Sequence, residues 1–319
     1  MSNPPLVSIV IPSFNQGRFI EETILSVLNQ DYPAIELIII DGGSRDQSVE
    51  TIKKYEGKIA YWVSEPDQGQ ADAINKGWRF ASGDFLGWLN SDDLLLPNAT
   101  PSSVEFLTNN RDYGFVYGDV FRIDEDGHPL SCTKNGDFDV VQMILDSGWI
   151  SQPGNLFRRS LYKAIGELDT SLHFQLDLDY WFRAGLYGKV GHLKMPLAKF
   201  RIHNRSKTSS QSYLAADDIL RIYEKIYSWN NLPEELVLHK NLAWANAYSY
   251  SAAAMCAAEK FPSSYSRFFR ALRIYPGILL ETKHLRRFMR LLALSMIGGK
   301  NTFVGRIIKR FLSASRKSL

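Results

Sequence analysis

The sequence predicts an α/β protein with a mostly parallel, Rossmann-like sheet flanked by helices, and three observations support this fold class. Short apolar runs alternate with amphipathic segments through the first part of the chain. Polar residues and glycines follow these runs, as expected where parallel strands end at a ligand-binding edge. The composition, with 45% hydrophobic and 22% charged residues, is that of a globular protein that can bury a sizeable core.

The alternation begins with the apolar run from Leu6 to Pro12, which predicts a buried strand. A helix over Arg18 to Asn29 follows, because the apolar residues of this segment fall largely on one face. The same pattern continues with strands over 36–40, 59–63, 85–89 and 115–117, and with helices over 46–55, 70–81 and 97–109.

Beyond residue 120 the alternation fails until a helix over 177–187 and a strand over 192–200. After Ser212 the pattern predicts helices alone, over 213–229, 234–258, 263–274, 283–297 and 302–312. We therefore expect an α/β domain over residues 1–210 and a helical C-terminal extension over residues 211–319 with a basic amphipathic end.

Charge is unevenly distributed along the chain. Residues 267–319 contain 13 Lys and Arg and one acid, Glu281, whereas the preceding residues are net acidic. Apolar and basic side chains alternate in the last helices, which suits a helix lying on an anionic membrane. A basic helical bundle packed on protein fits the same pattern. We expect no nucleic-acid partner, because no recognised binding module accompanies the charge.

The chain is expected to be cytoplasmic, with peripheral attachment at the inner face of the membrane as one option. Its two cysteines, Cys132 and Cys256, are far apart and have no ligand-spaced partners, so neither a disulfide framework nor a structural zinc site is expected. The first residues lack the basic region and apolar core of a secretory signal. The longest uncharged run, residues 241–258, contains too many polar residues for a membrane span.

Two adjacent carboxylates follow the fourth predicted strand, in the sequence Asn90-Ser91-Asp92-Asp93. Neighbouring carboxylates at a strand end repel each other and resist desolvation. A divalent cation resolves this conflict, often with the phosphates of a ligand completing its coordination shell. The alternative is a solvated turn in which one of the two acids caps the next helix, and the cluster alone does not decide between these interpretations.

Five blocks of sequence between Leu6 and about Thr208 resemble, in order, the inverting family-2 glycosyltransferases, which have the GT-A nucleotide-sugar fold. The resemblance identifies residues 1–210 as a GT-A catalytic domain. The blocks are residues 8–15 (SIVIPSFN), 40–46 (IDGGSRD), 64–77 (SEPDQGQADAINKG), 90–93 (NSDD), and the acceptor-side segments 152–159, 166–169 and 177–183.

On the donor side, the resemblance implies a nucleotide-diphosphate sugar and a divalent metal, Mn²⁺ or Mg²⁺. It implies Asp93 as a direct metal ligand and Asp92 as shared between metal and ribose. Two departures from the family pattern stand out: Gly42 follows Asp41 where many members have a second acid, and Asn90 replaces the first acid of the Asp-x-Asp motif. The substrate-binding residues that it implies are Pro12, Ser13, Asn15, Asp41, Asp67, Asp72 and Asp92.

On the acceptor side, the resemblance implies that Asp177 is the general base. A lipid-linked or polysaccharide-precursor glycan would then supply the attacking hydroxyl. Leu176 stands where many relatives have Glu, and His203 is a further candidate for the metal or phosphate site, although a lone histidine is more often structural. The alternative function is a non-catalytic nucleotide-sugar-binding protein or scaffold that retains the fold.

Overall fold

The computed structural model describes residues 3–207 and 212–296, and these fall into two compact units. The first unit contains the described residues up to Val140 and those from Trp149 to Lys207. The second contains Val141–Gly148 and the described residues from Ser212 onward. The sequence pattern did not indicate that the short segment 141–148 belongs with the C-terminal helices.

The first unit is an α/β structure built on a nine-stranded sheet, in agreement with the predicted fold class. Strands β3, β2, β1 and β4 are parallel, and the order continues through β8, β6, β9 and β5, with β7 paired to β6. The strands are β1 Val7–Ser13, β2 Ile35–Asp41, β3 Tyr61–Ser64, β4 Phe85–Trp88, β5 Leu94–Leu95, β6 Tyr113–Ile123, β7 Pro129–Thr133, β8 Leu156–Arg158 and β9 Lys189–Arg201.

Helices connect the parallel strands, as the alternating pattern predicts. Residues of β1, β2, β4, α1 and α4 form one apolar core, which includes Ile9, Ile24 and Leu107. Burial of these side chains is the main favourable contribution to the folding free energy of this layer. The helices of this unit are α1 Ile20–Leu28, α2 Ser48–Lys54, α3 Gln70–Phe80, α4 Ala99–Asn109, α6 Arg159–Ile165 and α7 Leu176–Tyr187, and α5, Val140–Asp146, lies almost entirely in the second unit.

Aromatic side chains fill the other face of the sheet, where α3 and α7 pack. Trp78 of α3 has its ring centroid 5.5 Å from that of Trp88 in β4, and Trp88 stacks on Trp181 of α7 at 5.1 Å. A Cβ at Gly77 would lie 2.4 Å from a methyl carbon of Val10, so glycine allows α3 to approach β1 closely. These contacts fix the start of α7 near the carboxyl end of β4.

The other half of the sheet, in which β6 and β9 are parallel to each other and the remaining pairs are antiparallel, was not predicted in full. Strands β5, β7 and β8 and helices α5 and α6 were missed, because each spans seven residues or fewer and carries a weak periodic signal. The short strand β5 pairs with β9 through Leu94 and Lys199, directly after the Asn90–Asp93 turn. This pairing brings the end of β9 to the predicted metal cluster.

The second unit is helical, as predicted. The helix expected over 234–258 is divided at His239 into α9 and α10, and the segment expected to be helical over 302–312 lies outside the described residues. No helix in the described part of the chain is long and apolar enough to cross a membrane. The helices of this unit from Ser212 onward are α8 Ala215–Ile226, α9 Glu234–Leu238, α10 Lys240–Ala257, α11 Phe261–Ile274 and α12 Thr282–Met296.

Candidate active site

The loops that follow β1, β2 and β3 meet at the carboxyl edge of the sheet. The strand register pairs Ser13 with Asp41 and Asp41 with Ser64. Asn15, which has φ of 52°, then links the first two loops, since its backbone N–H donates to Ser44 Oγ at 2.7 Å. Its side-chain Oδ1 accepts from the backbone N–H of Arg45 at 2.9 Å.

Asp41 lies fully buried at the centre of these loops. Its carboxylate accepts hydrogen bonds from the hydroxyls of Ser44 at 2.6 Å and Ser64 at 2.7 Å, and from the backbone N–H of Ser44 at 2.8 Å. These bonds satisfy most of the lone pairs of the carboxylate. Asp41 therefore holds the three loops together, and little of its hydrogen-bonding capacity is left for a ligand.

Two further carboxylates lie beside this cluster, at the start of α3. Asp67 Oδ1 accepts the backbone N–H of Gly69 at 2.8 Å, and Asp72 Oδ2 accepts that of Gln68 at 3.1 Å. Burial raises the pKa of Asp67, and the negative charges of Asp72 and Asp41 act in the same direction. This part of the site is therefore an acidic edge, suited to hydrogen-bond donors or cations.

Gly42, the first departure from the family pattern, has a structural explanation. A Cβ at Gly42 would lie 2.6 Å from Oδ2 of Asp67, which is closer than van der Waals contact permits. The Asp67 carboxylate thus occupies the space into which a side chain at position 42 would project. Only glycine at this position leaves Asp67 where it is.

The Asn90–Asp93 turn follows β4, and its two acids differ in their burial and in their hydrogen-bond partners. Asp93 is fully buried; its Oδ1 accepts the backbone N–H of Arg201 at 2.9 Å and its Oδ2 accepts the side-chain amide of Asn90 at 3.3 Å. Burial, and then the charge of Asp92, raise the pKa of Asp93 well above its ordinary value. Asp93 thus ties the turn to the end of β9.

Asp92 points to the accessible side of the same turn and meets His203. The imidazole Nε2 of His203 lies 2.9 Å from Asp92 Oδ2, and the side chains are 2% and 15% exposed respectively. The His203 ring packs against Phe19 of the loop before α1, with centroids 4.6 Å apart. A carboxylate oxygen and an imidazole nitrogen are therefore held side by side, as two ligands of one cation would be.

Arg201, whose side chain is 1% exposed, contacts both the Asn90–Asp93 turn and α1. Its Nε donates to the backbone carbonyl of Asp92 at 3.0 Å, and its Nη2 donates to Glu22 of α1 at 2.6 Å. The guanidinium also lies over the ring of Phe19. One buried cation thereby fixes the turn, α1 and the residues leading to His203.

Asp177 lies in the first turn of α7, one residue after the helix begins. Burial raises the pKa of Asp177 to about 6, although the backbone N–H of Leu178 and the charge of Lys207 lower it. Trp181, four residues further along α7, stacks on Trp88, which stands two residues before Asn90. The carboxylate therefore belongs to the same end of the sheet as the Asn90–Asp93 turn.

A line of polar side chains connects Asp177 with this turn. Lys207, whose charge acts on Asp177, has its Nζ 3.4 Å from Gln70 Oε1, and Gln70 Nε2 donates to Asn90 Oδ1 at 2.7 Å. Asn90 in turn contacts Asp93. Asn90 thus serves as a hydrogen-bond bridge, which a carboxylate at that position could not provide to Asp93.

Most of the residues singled out in the sequence come together at this edge. Ser13 and Asp41 are the last residues of β1 and β2, Asn15 and Asp67 lie on the loops after β1 and β3, and Asp72 lies in the first turn of α3. Buried Pro12 precedes Ser13 within β1. Sequence reasoning assigned no role to Arg201 or Gln70; the signal available for Arg201 was a basic residue immediately after a predicted strand. Ser13 Oγ is buried and has no hydrogen-bond partner among the described residues.

A second acidic group lies elsewhere, on the hairpin between β6 and β7. Asp124, Asp126 and His128 place one potential ligand atom each within 4.8 Å of the others. Asp124 is occupied by backbone N–H groups of Asp126 and His128, and Asp126 pairs with Arg18 at 2.9 Å. These contacts account for the cluster as a charged turn.

Comparison with known proteins agrees with the resemblance seen in the blocks. A family model described as glycosyl transferase family 2 matches residues 8–166. A glycosyltransferase of Rickettsia typhi is 32% identical over 232 residues, which cover 70% of this chain and 71% of that protein. This chain belongs to glycosyltransferase family 2, and it is a transferase. A Mycobacterium tuberculosis glycosyltransferase is 31% identical over 206 residues, covering 63% of this chain and 76% of its own.

Solved structures show the same GT-A fold at low sequence identity. S. aureus TarS, residues 1–349, solved with UDP-GlcNAc, superposes with a TM-score of 0.61 at 17% identity, over 86% of this family-2 chain and 91% of that 1–349 chain. The mannosyltransferase PcManGT of Pyrobaculum calidifontis, solved with GDP-Man and Mn²⁺, gives a TM-score of 0.61 at 16% identity, over 91% and 85% of the two chains. The predicted GT-A fold is confirmed.

Proposed function

We propose that this protein is a metal-dependent inverting glycosyltransferase that moves a sugar from a nucleotide-diphosphate sugar to an acceptor hydroxyl. The observation that carries the proposal is the joint position of Asp92 and Asp177. The Asp92 carboxylate lies beside an imidazole, and the Asp177 carboxylate has its pKa raised to about 6. Lys207, whose charge acts on Asp177, contacts Gln70, and Gln70 donates to Asn90 of the turn that contains Asp92. The two carboxylates are the groups that inverting transfer requires.

The metal would be held by Asp92 and His203. Two protein ligands are sufficient where diphosphate oxygens and water complete the shell, as is common for Mg²⁺ bound with substrate phosphates. When bound, Mn²⁺ or Mg²⁺ would neutralise the charge that develops on the diphosphate leaving group. Direct ligation by Asp93 stays a prediction. Because Asp93 is buried and already accepts the backbone N–H of Arg201, Asp92 is the better candidate for a direct ligand.

Asp177 would act as the general base toward the acceptor hydroxyl. A carboxylate with a pKa of about 6 is still ionised at pH 7 to 8, but it is a stronger base than an ordinary aspartate. Inversion needs a single displacement at the anomeric carbon, so that no covalent intermediate with the protein is required. The expected contribution of such a base is on the order of 10² to 10⁴ in rate.

The donor nucleotide would lie along the loops after β1 to β3. Asp67, which fills the space beside Gly42, is the best placed acid for a base N–H or ribose hydroxyl, while Asp41 holds the loops. Ser13, with a buried hydroxyl lacking a partner among the described residues, is a second contact. Pro12, Asn15 and Asp72 would shape the same subsite.

The acceptor is proposed to be a glycan, lipid-linked or part of a polysaccharide precursor, and the basic helices are proposed to meet an anionic membrane. The apolar residues Phe288, Leu291 and Leu294 of α12 pack into a core with α10 and α11. The side of α12 that remains for lipid carries exposed Leu285 and Met289, with Arg286 and Arg290 beside them. This combination suits an interfacial helix.

Hydrolysis of a panel of nucleotide sugars tests the proposal against the non-catalytic alternative. We expect slow release of free sugar from one donor, dependent on Mn²⁺ or Mg²⁺ and abolished by chelation with EDTA. A scaffold protein would bind the donor without releasing sugar. Binding of a nucleotide sugar without turnover, in the presence of either metal and candidate glycan acceptors, would favour the scaffold.

A further inference from the structure

A second cleft opens at the opposite edge of the sheet in the first unit. It has a volume of about 1150 Å³, and its lining includes Leu6, which directly precedes β1, and Phe85, the first residue of β4. The candidate active site lies at the carboxyl ends of these strands. Strand β1 spans seven residues, about 20 Å at the usual rise, so this cleft is separate from the site already described.

Positive charge dominates this cleft. Arg111, Arg158, Arg159 and Lys163 line it, and Asp84 is the single acid in the lining. Among the described residues, none of the four cations forms a salt bridge with a carboxylate. Asp84 accepts the backbone N–H of Leu6 at 3.1 Å, which occupies one of its oxygens.

Two of the arginines are fixed by the backbone. Arg158 Nε donates to the carbonyl of Tyr113 at 2.8 Å, and Arg159 Nε donates to that of Gly83 at 2.6 Å. The Nη2 group of Arg159 is buried and has no hydrogen-bond partner among the described residues. An unpartnered buried donor is costly, and an anion accepting from it would remove that cost.

The remaining two cations are exposed, and their side chains form no hydrogen bond or salt bridge among the described residues. Arg111 lies on the surface two residues after α4 ends, and Lys163 lies on the surface within α6. Burial, and then the positive charge of Arg111, lower the pKa of Arg158, so the cations of this cleft repel one another. Two guanidiniums bonded to the backbone, with two exposed cations around them, form an arrangement that matches a phosphate group.

We infer that this cleft is an anion site that binds a phosphate group, separate from the donor site. The phosphate could belong to a free compound, such as a diphosphate, or to the headgroup of an anionic lipid. The inference does not depend on the proposed transferase mechanism, because no residue of the cleft belongs to the candidate active site.

Titration calorimetry with inorganic pyrophosphate in EDTA tests the free-phosphate source, since without a divalent metal the acidic donor site repels the probe. The full chain is compared with Arg111→Gln/Lys163→Gln, in which both exposed cations are removed and the backbone-bonded arginines are kept. The matched control is Lys53→Gln/Lys58→Gln, which removes two exposed cations outside the cleft. We expect the cleft variant to weaken pyrophosphate binding about tenfold and the control to leave it unchanged.

Vesicle sedimentation tests the lipid source with the same three proteins. Sedimentation with vesicles of phosphatidylglycerol mixed into phosphatidylcholine is compared with sedimentation with vesicles of phosphatidylcholine alone. If the cleft variant loses binding to pyrophosphate alone, the site is assigned to a free phosphate compound. If it loses binding to phosphatidylglycerol vesicles alone, the site is assigned to a lipid headgroup. If the cleft variant matches the wild type in both assays, or if the control variant loses as much as the cleft variant, the anion site is refuted.

Discussion

The imidazole Nε2 of His203 and the carboxylate Oδ2 of Asp92 lie 2.9 Å apart at the mouth of the candidate active site. They come from positions 111 residues apart in sequence, in the segments that follow β4 and β9. Strand β5, only two residues long, connects the two by pairing with β9. The contact therefore depends on the antiparallel pairing of β5 with β9, and the family-2 motifs at the start of the chain do not contain this pair.

Replacement of His203 by Ala should weaken metal binding while donor binding through the loops persists. The expected result is a rise of about tenfold or more in the Mn²⁺ concentration needed for half-maximal nucleotide-sugar hydrolysis. A Mn²⁺ titration of activity at saturating donor measures this. His128→Ala, in the hairpin cluster, is the matched control, and an equal effect of both variants would count against a metal at Asp92.

Activity should depend on the ionisation of Asp177. A general base works as the carboxylate, and burial raises the pKa of Asp177 to about 6, so kcat/KM should fall as pH decreases through about 6. A pH profile of transfer at saturating metal measures this. A profile flat between pH 5 and 7 would show that another group accepts the proton.

Asp177→Asn should be inactive and yet more stable at neutral pH. Because the folded-state pKa is raised above the ordinary value of 3.8, ionisation disfavours the folded state as pH rises from about 4 to about 6. Asn removes that charge, and the expected gain at pH 7 is about 1 to 3 kcal/mol in the free energy of unfolding. Urea denaturation at pH 7 and at pH 4 tests this, since the gain should shrink at the lower pH.

Gly42 is expected to act through Asp67. Gly42→Ala puts a Cβ within 2.6 Å of the Asp67 carboxylate and should displace it, raising KM for the donor severalfold with a smaller change in kcat. Asp67→Ala should have a similar effect, and the double variant should be no worse than either single one. Gly57→Ala, where a Cβ meets nothing within 4 Å, is the control. Additive losses would mean that the two positions act independently.

The buried guanidinium of Arg201 should be important for folding. Arg201→Met leaves the backbone carbonyl of Asp92 without its donor, which is expected to cost about 1 to 3 kcal/mol of stability, while the exposed carboxylate of Glu22 turns to water. Denaturant unfolding measures the change. Arg205→Met, at an exposed position in the same segment, should change stability by less than about 0.5 kcal/mol.

The sequence predicted the parallel half of the fold closely and the other half poorly, for physical reasons. Long apolar strands such as β1 and β2 are buried on both faces and leave a continuous signal, whereas β8, with three residues, leaves almost none. The acids of the site were recognisable because carboxylates at strand ends are unusual. Their separate roles were not recognisable, because the full burial of Asp93 and the partial burial of Asp92 depend on Arg201 and His203, which only the folded chain brings to the turn.

Electron paramagnetic resonance of Mn²⁺ with UDP or GDP present tests the central assignment most directly, because it reports on metal bound to the protein whatever the acceptor. We predict that the wild-type chain binds Mn²⁺ with one of these nucleotides, that Asp92→Asn loses this binding, and that Asp93→Asn, which keeps an acceptor for the Arg201 N–H, retains most of it. If a folded Asp92→Asn variant bound Mn²⁺ as well as the wild-type chain does, the account would be contradicted.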